Sequence, residues 1–515
     1  MTGRARTAWL AALAGVAASS AGLGTAELVA GIAAPTAGPL VASGSFVIDI
    51  SPAWLREFVI ALFGTGDKAV LLVSLGVLLA VVAAAGGVLE QRRPPLGRIL
   101  LLLTGLAAAA TAVSRAGASP LAAIPSLLGT AVAVLLLPPL TRRLRPSGTP
   151  AGAGAAASGP GRRDFLVFAL TALGLGAAAA LGGRLVSAGA RTATAARSLF
   201  ALPKPATPAP AIPASASLPV PGITPLITPN ADFYRVDTSL LFVPRPDPAD
   251  WSLRITGMVD REVALGFDEL IALPLEESVT TLVCVSNPVG GDLAGTARWL
   301  GYPIRALLER AGPHPDADMV LSRSVDGFTA GTPIQAMTDG RNAIVAVGMN
   351  GEPLPFEHGY PARLVVPGLY GYVSATKWVT ELEVTRFDRE RAYWTQRGWS
   401  ERGPVKLSSR IDVPRAGQRP AAGTVMVGGV AWSPHAGIAG VEVRVDDGPW
   451  HEAQLGGAVS ADTWRQWAWS WPATAGRHRL TVRATDAAGT VQTPAVADPV
   501  PDGATGWHSI VVAVA

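Results

Sequence analysis

Three regions of different chemistry predict a three-part fold for this 515-residue chain: membrane-spanning helices, then a mixed α+β domain, then an all-β domain. The chain is 49% hydrophobic and only 16% charged, and the apolar excess lies almost entirely before residue 190. Strand and short-helix patterns alternate from there to about residue 400. Beyond it helical periodicity disappears, and strand patterns recur between turn signals. The division is 1–186 for a helical membrane anchor, 187–222 for a linker, 223–400 for the α+β domain and 401–515 for the all-β domain.

Five segments approach the ~20 apolar residues that cross a bilayer. They lie near 8–33, 68–90, 97–114, 119–140 and 165–186. Between the first two, residues 52–63 combine helical spacing with interfacial aromatics (Trp54, Phe58, Phe63), the pattern of a helix lying on the membrane surface. Arginines orient the spans. Arg4 and Arg6 precede the first, Arg92, Arg93 and Arg98 follow the second, and Arg142, Arg143, Arg145, Arg162 and Arg163 follow the fourth. The alternate loops hold only Arg56 and Lys68, or Arg115. The positive-inside rule then predicts a multi-pass protein of the cell membrane with everything beyond the fifth span on the extracytoplasmic side. Gly161-Arg162-Arg163-Asp164-Phe165-Leu166 resembles a twin-arginine signal, which exports folded proteins. Glu27 is the one acidic group expected within a span, so the anchor lacks the buried charges that mark conduction paths.

The Ala/Pro/Ser-rich stretch 187–222 predicts an extended, semi-rigid spacer. The formal net charge of +4 is modest and its arginines cluster beside the spans, which accounts for the basic balance without nucleic acid. In the α+β domain Trp251–Gly257, Met319–Ser322 and Arg363–Val366 read as strands. Phe267–Leu273, ended by Pro274, and Arg305–Ala311, ended by Gly312-Pro313, read as helices. In the last domain Thr424–Val427, Val441–Val445, Trp464–Trp471 and His478–Ala484 are strand-like, a spacing that suits an immunoglobulin-like sandwich. Its tryptophans read as core and interface rather than as a sugar platform.

Cys284 is the only cysteine, so it has no intrachain disulfide partner. It ends the alternating, β-branched run Ser278-Val279-Thr280-Thr281-Leu282-Val283 and opens the polar, Gly-rich stretch Val285-Ser286-Asn287-Pro288-Val289-Gly290-Gly291. A buried cysteine is ordinarily a small hydrophobe, but a strand end leading into a glycine loop is where side chains meet ligands.

The order of motifs around it resembles the sulfite-oxidase superfamily of molybdopterin-dependent oxidoreductases. It runs Thr228-Pro229-Asn230-Ala231-Asp232-Phe233-Tyr234, the cysteine loop, Ala297–Ile304, Met349–Pro355, His358–Gly368 and Lys377-Trp378. The spans are similar to those of membrane-anchored actinobacterial members, and the last domain to the family's dimerisation domain, which implies a possible homodimer. The resemblance implies a Mo-molybdopterin cofactor, a pyranopterin-dithiolene molybdenum ligated by Cys284, and oxygen-atom transfer on sulfite-like or S-oxide substrates. By that resemblance a thiolate at Cys284 would be a soft ligand suited to a redox metal, and Gly290 and Gly291 would let backbone approach such a centre closely. It further implies that His358 and Arg363 hold the pterin and its phosphate. Lys377 and Ser374 would stand on the phosphate side, Asn230 and Tyr234 would close over the pterin, and Ser324 would contribute a hydroxyl.

The chain departs from the sulfite-oxidising pattern at Asn287-Pro288-Val289, where a basic residue is expected, and Arg298 is the candidate to replace it. It has no Cys-x-x-Cys-His, and its six histidines all fall at or after His314. The spans therefore offer no histidine haem ligands, and electrons must pass to or from a separate partner, cytochrome or quinone-linked. The alternative reading is a cofactor-free surface binding or adhesion module that retains the fold.

Overall fold

The computed structural model describes residues 3–515 except 34–36, 53–54, 56–57, 60–61, 64–66, 115–118, 143, 145–170, 172–173, 175–193, 195–196 and 240–242. The expected fifth span and the twin-arginine-like motif lie outside the described residues, as does much of the expected surface helix 52–63.

Two units are distinct: residues 1–191 with 240–242, and residues 192–239 with 243–515. The first holds α1 (Gly3–Ala33), α2 (Pro39–Ile50), α3 (Asp67–Arg92), α4 (Leu96–Val113) and α5 (Ile124–Arg142). Among the described residues four segments are long and apolar enough to cross a membrane: Thr7–Ile32, Lys68–Arg92, Leu96–Val113 and Pro120–Arg142. The 12-residue α2 had no separate signal in the sequence and is too short to span. Small residues let these helices meet closely. A Cβ at Gly15 would lie 2.0 Å from the Ala83 carbonyl oxygen, and one at Gly22 2.4 Å from that of Gly129. Glu27 is buried and its Oε1 accepts from Leu40 N–H at 3.2 Å. A second acid is buried at the end of α3, contrary to the expectation of one. Glu90 pairs with Arg98 at 2.9 Å.

In the second unit β1 (Ser252–Gly257), β2 (Val263–Gly266), α6 (Phe267–Ile271), β3 (Glu276–Val283), β4 (Ala294–Pro303) and α7 (Ile304–Ala311) come first. Then follow β5 (Met319–Ser324), β6 (Thr329–Pro333), α8 (Gln335–Thr338), β7 (Ile344–Met349), β8 (Glu352–Pro353), β9 (Arg363–Val365), α9 (Gly371–Ser374) and β10 (Val379–Thr385). They build two sheets. One has the order β2-β1-β10-β5-β6, with β1 and β10 parallel; the other runs β3-β4-β7-β8, with β9 also pairing β7. α7 shows why the pattern folds as it does. Ile304, Leu307, Leu308 and Ala311 form one buried stripe, and Gly312, at φ +69°, ends the helix with its N–H on Leu308 O. β3 is buried over its last six residues, so the alternation read from 278–283 does not become alternate exposure: both faces of the strand are covered.

From Arg197 the Ala/Pro-rich stretch lies against this unit rather than free of it. Phe200, Leu202 and Ile212 pack on its core, Ala216 is fully buried, and Leu218 N–H donates to Gln466 Oε1 at 2.7 Å.

The C-terminal part comprises β11 (Ser408–Val413), β12 (Gly423–Trp432), β13 (Ile438–Val445), β14 (Trp450–Glu452), β15 (Gln454–Leu455), β16 (Arg465–Ala473), β17 (Gly476–Asp486) and β18 (His508–Val514). They form two antiparallel sheets, β11-β12-β16-β15 and β14-β13-β17-β18, resembling an immunoglobulin-like fold. Residues from both sheets share one core, including Val427, Trp467 and Trp471 from the first and Val443, Val482 and Val512 from the second. Trp464 is buried too, and Trp469 stacks on His451 at 4.9 Å, so the tryptophans serve packing.

Candidate functional site

Both sheets of the α+β domain feed one cleft. The end of β3 delivers Cys284, β9 delivers Arg363, the end of β5 delivers Ser324, and the turn before β10 delivers Lys377 and Trp378. The segment after the short helical turn Asn230–Asp232 supplies Phe233, Tyr234 and Asp237. Counted out to open solvent, the cleft's empty space is about 850 Å³. Tyr372, Trp394, Trp399 and Phe328 make much of the remaining wall aromatic.

Of the eight residues named from the sequence, Tyr234, Cys284, Ser324, Arg363 and Lys377 line this wall. The other three sit behind it. Ser374 is fully buried and donates to Tyr370 O at 2.9 Å. Asn230 accepts at its Oδ1 from Asn350 Nδ2 at 2.8 Å. His358 is buried with its Nε2 3.1 Å from Asn230 O. Because that oxygen can only accept, Nε2 carries the proton of a neutral imidazole. Nδ1 is then a bare acceptor, and it is buried without a partner. Burial, then the positive charges of Arg363 and Lys377, push the His358 pKa down to about 4.

Arg363 is 4% exposed, and its guanidinium lies 5.1 Å from the centre of the Trp299 ring. It donates only to carbonyls: His358 O at 3.1 Å, Ala375 O at 3.4 Å and Leu364 O at 3.4 Å. Among the described residues no carboxylate forms an ion pair with it. Burial lowers its pKa to about 10, with Tyr234 opposing. An isolated buried cation is costly, so this wall is built for an anion. Lys377 is different. Its Nζ meets Asp237 Oδ2 at 3.2 Å and Glu357 O at 2.8 Å, and burial lowers its pKa to about 8 against the pull of Asp237.

The thiol of Cys284 is buried at the cleft wall. Burial raises its pKa, while the neighbouring N–H and hydroxyl of Ser286 and the charge of Lys377 pull it back. Tyr234 stacks on Phe233 at 5.3 Å. Burial first, and the sulfur second, raise the pKa of its hydroxyl, which stays protonated. Sequence reasoning missed Ser286 and Asp237. Ser286 was readable as a donor two residues past the cysteine, whereas nothing local marks Asp237. Arg298 does not line the cleft; it pairs with Glu277 at 2.8 Å. The close approach at Gly290 is to another side chain: a Cβ there would lie 2.2 Å from His508 Cδ2.

Residues 241–394 match the family described as the oxidoreductase molybdopterin binding domain. The chain is 29% identical to human (Homo sapiens) mitochondrial sulfite oxidase over 304 residues, covering 50% of this chain and 55% of that one. It thus spans about half the length of the mitochondrial sulfite oxidases it matches. It is 31% identical over 165 residues to YuiH of Bacillus subtilis (strain 168), named as an uncharacterized oxidoreductase, covering 32% of this chain and 80% of that protein. The sulfane dehydrogenase SoxCD of Paracoccus pantotrophus aligns over 57% of this chain and 84% of its own, with 22% identity and a TM-score of 0.48.

A sulfite-oxidase-like oxidoreductase domain, following apolar helices consistent with membrane anchoring, is the class these features define. The chain belongs to the molybdopterin-binding oxidoreductase family.

Proposed function

We propose that this protein is a membrane-anchored, extracytoplasmic molybdopterin oxidoreductase whose single cysteine ligates molybdenum. The observation that carries the reading is Arg363, a buried cation with no carboxylate partner among the described residues, in the same cleft as Cys284. The residues present fit the cofactor. Arg363 offers a planar fork to a phosphate, His358 Nδ1 is a buried acceptor in want of a donor, and the thiol has donors to stabilise its anion. Among the described residues no three His, Cys, Asp or Glu are grouped to hold a metal ion. A lone protein ligand therefore suits a metal that arrives with its other ligands. When bound, the molybdenum–pterin group supplies two-electron oxygen-atom transfer.

The chain's own residues bind and orient. Cys284 and Ser286 hold the metal side. Arg363 and Lys377 hold the phosphate, with Lys377 sharing its charge with Asp237. Tyr234, Ser324, Asn230, His358 and Ser374 shape the pterin slot, the last three from behind the wall. The tyrosine hydroxyl, kept protonated, donates rather than accepts charge. The wall favours an uncharged S-oxide over sulfite. Its acids Asp237 and Asp326 and its aromatic residues offer an oxyanion little, and its two cations are committed to the phosphate.

Metal analysis of the full chain, expressed in a cofactor-competent host, should find about one molybdenum per chain, and Cys284→Ser should lose metal or activity. Wild-type protein without molybdenum would refute the proposal.

A further inference from the structure

Cys284 is gripped on both flanks by the C-terminal β-domain. Three residues before it, Thr281 N–H donates to Asp462 O at 2.9 Å, and Thr281 Oγ1 accepts from Trp464 N–H at 2.8 Å. Beyond it, Arg410 Nη1 donates to Gly291 O at 2.7 Å. That guanidinium is itself fixed, by Asp412 Oδ1 at 2.7 Å and by Thr224 Oγ1 at 2.8 Å. The His508 ring occupies the space over Gly290, and its Nδ1 accepts from Ile411 N–H at 3.0 Å. Gly290 has φ +79°, so both its conformation and the ring against it demand glycine.

Between these grips the loop closes on itself. Cys284 N–H donates to Leu293 O at 2.9 Å, Asn287 N–H to Cys284 O at 3.1 Å, and Leu293 N–H to Asn287 Oδ1 at 2.9 Å. A short loop tied internally still moves as a body unless something outside holds it. The outer holds are Arg410 and His508, neither of which lines the cleft.

We infer that Arg410 and His508 are positioning residues for Cys284, so that the C-terminal β-domain sets where the thiol sits. A ligand or catalytic group has to be held within a few tenths of an ångström, and a charge-assisted donor on a carbonyl inside the loop is a suitable restraint. That Cys284 ligates a metal rests on the proposed function; the grip on its loop does not.

The test uses the full chain in detergent, prepared without cofactor, and follows amide exchange in peptides covering residues 284–293. It also follows the alkylation rate of Cys284 by a neutral maleimide at one fixed pH. Arg410→Ala should speed both by about tenfold, as expected for losing a charged hydrogen bond, with exchange in β16 and β17 unchanged. Arg410→Lys should restore part of the protection, and His508→Ala should loosen the same peptides if Arg410→Ala does not fold. Lys406→Ala is the control, because Lys406 ties Asp502 Oδ1 at 2.8 Å and Gly503 O at 3.0 Å in the same domain without touching the loop or Thr224. Unchanged exchange in 284–293, or equal acceleration by Lys406→Ala, would overturn the inference. Both readouts are made without molybdenum, so they stand or fall apart from the metal analysis.

Discussion

The two walls of the cleft are built on opposite principles. On the Arg363 side a cation and an imidazole acceptor are buried with needs the protein leaves unmet. On the Cys284 side the loop is tied within itself, by Cys284 N–H to Leu293 O and Leu293 N–H to Asn287 Oδ1, and to the C-terminal β-domain, by Arg410 to Gly291 O. On the proposed function the first wall would be stabilised by what binds to it; the second is held before anything binds. Ligand affinity and ligand placement are thus divided between different residues, and substitutions should separate them.

The largest effect should come from Arg363→Leu. Removing one partner of a buried charged contact typically costs about 2–5 kcal/mol, so molybdenum retention should fall by roughly thirtyfold or more. Without cofactor the same change should be neutral or stabilising, since it removes an uncompensated buried charge. Metal content and thermal midpoints of the two preparations measure both arms. A destabilised cofactor-free variant would mean that the wall is satisfied by the protein alone.

His358 gives the next effect, through pH. Its pKa is near 4 in the folded chain against about 6.5 when unfolded. The unfolded state therefore binds more protons between those values, and stability falls as pH drops from about 6.5 to about 4, then levels off. The full shift corresponds to at most about 3 kcal/mol. Thermal midpoints of cofactor-free wild type and His358→Gln at pH 7 and pH 4.5 should show a smaller acid loss in the variant. Equal losses would place the acid sensitivity elsewhere.

Much of this was readable in the chain, and what was not has a physical reason. α7 announces itself by its apolar spacing and its Gly312-Pro313 stop. β3 announces itself by β-branched residues, and the apolar spans by length. Cys284 and Arg363 stand in motifs whose order carries the resemblance, and they do line one cleft. Hidden from the sequence were features made by distant chain segments. Gly290 signals freedom or close approach, but only folding shows that the neighbour is His508 from β18. Asp237 looks like an ordinary solvated acid until Lys377 is brought to it. α2 escaped because Pro39–Ile50 is too short for a span.

Gly290→Ala addresses the finished wall. The positive φ costs about 1–2 kcal/mol for an L-residue, and the new methyl meets His508. The loss should appear as faster exchange in residues 284–293 more than as a lower global midpoint. The double variant with His508→Ala should recover the steric part and leave the conformational part, a coupling that a double-mutant cycle reads directly.

Lys377→Met should have the smallest effect, and it tests the contrast within the first wall itself. Lys377 is already neutralised by Asp237, and Asp237 keeps Arg235, at 2.7 Å, when the lysine is gone. No buried charge is left stranded, so the folded chain should lose little. On the proposed function Lys377 would share its charge as a phosphate donor, whereas Arg363 would have all of its own to give. Molybdenum retention should therefore drop only a few-fold, roughly 1 kcal/mol, against the much larger loss for Arg363→Leu. If the two variants lose metal equally, an ion pair inside the protein does not weaken a cation as an anchor, and the division between needy and satisfied groups would have to be redrawn at Asp237.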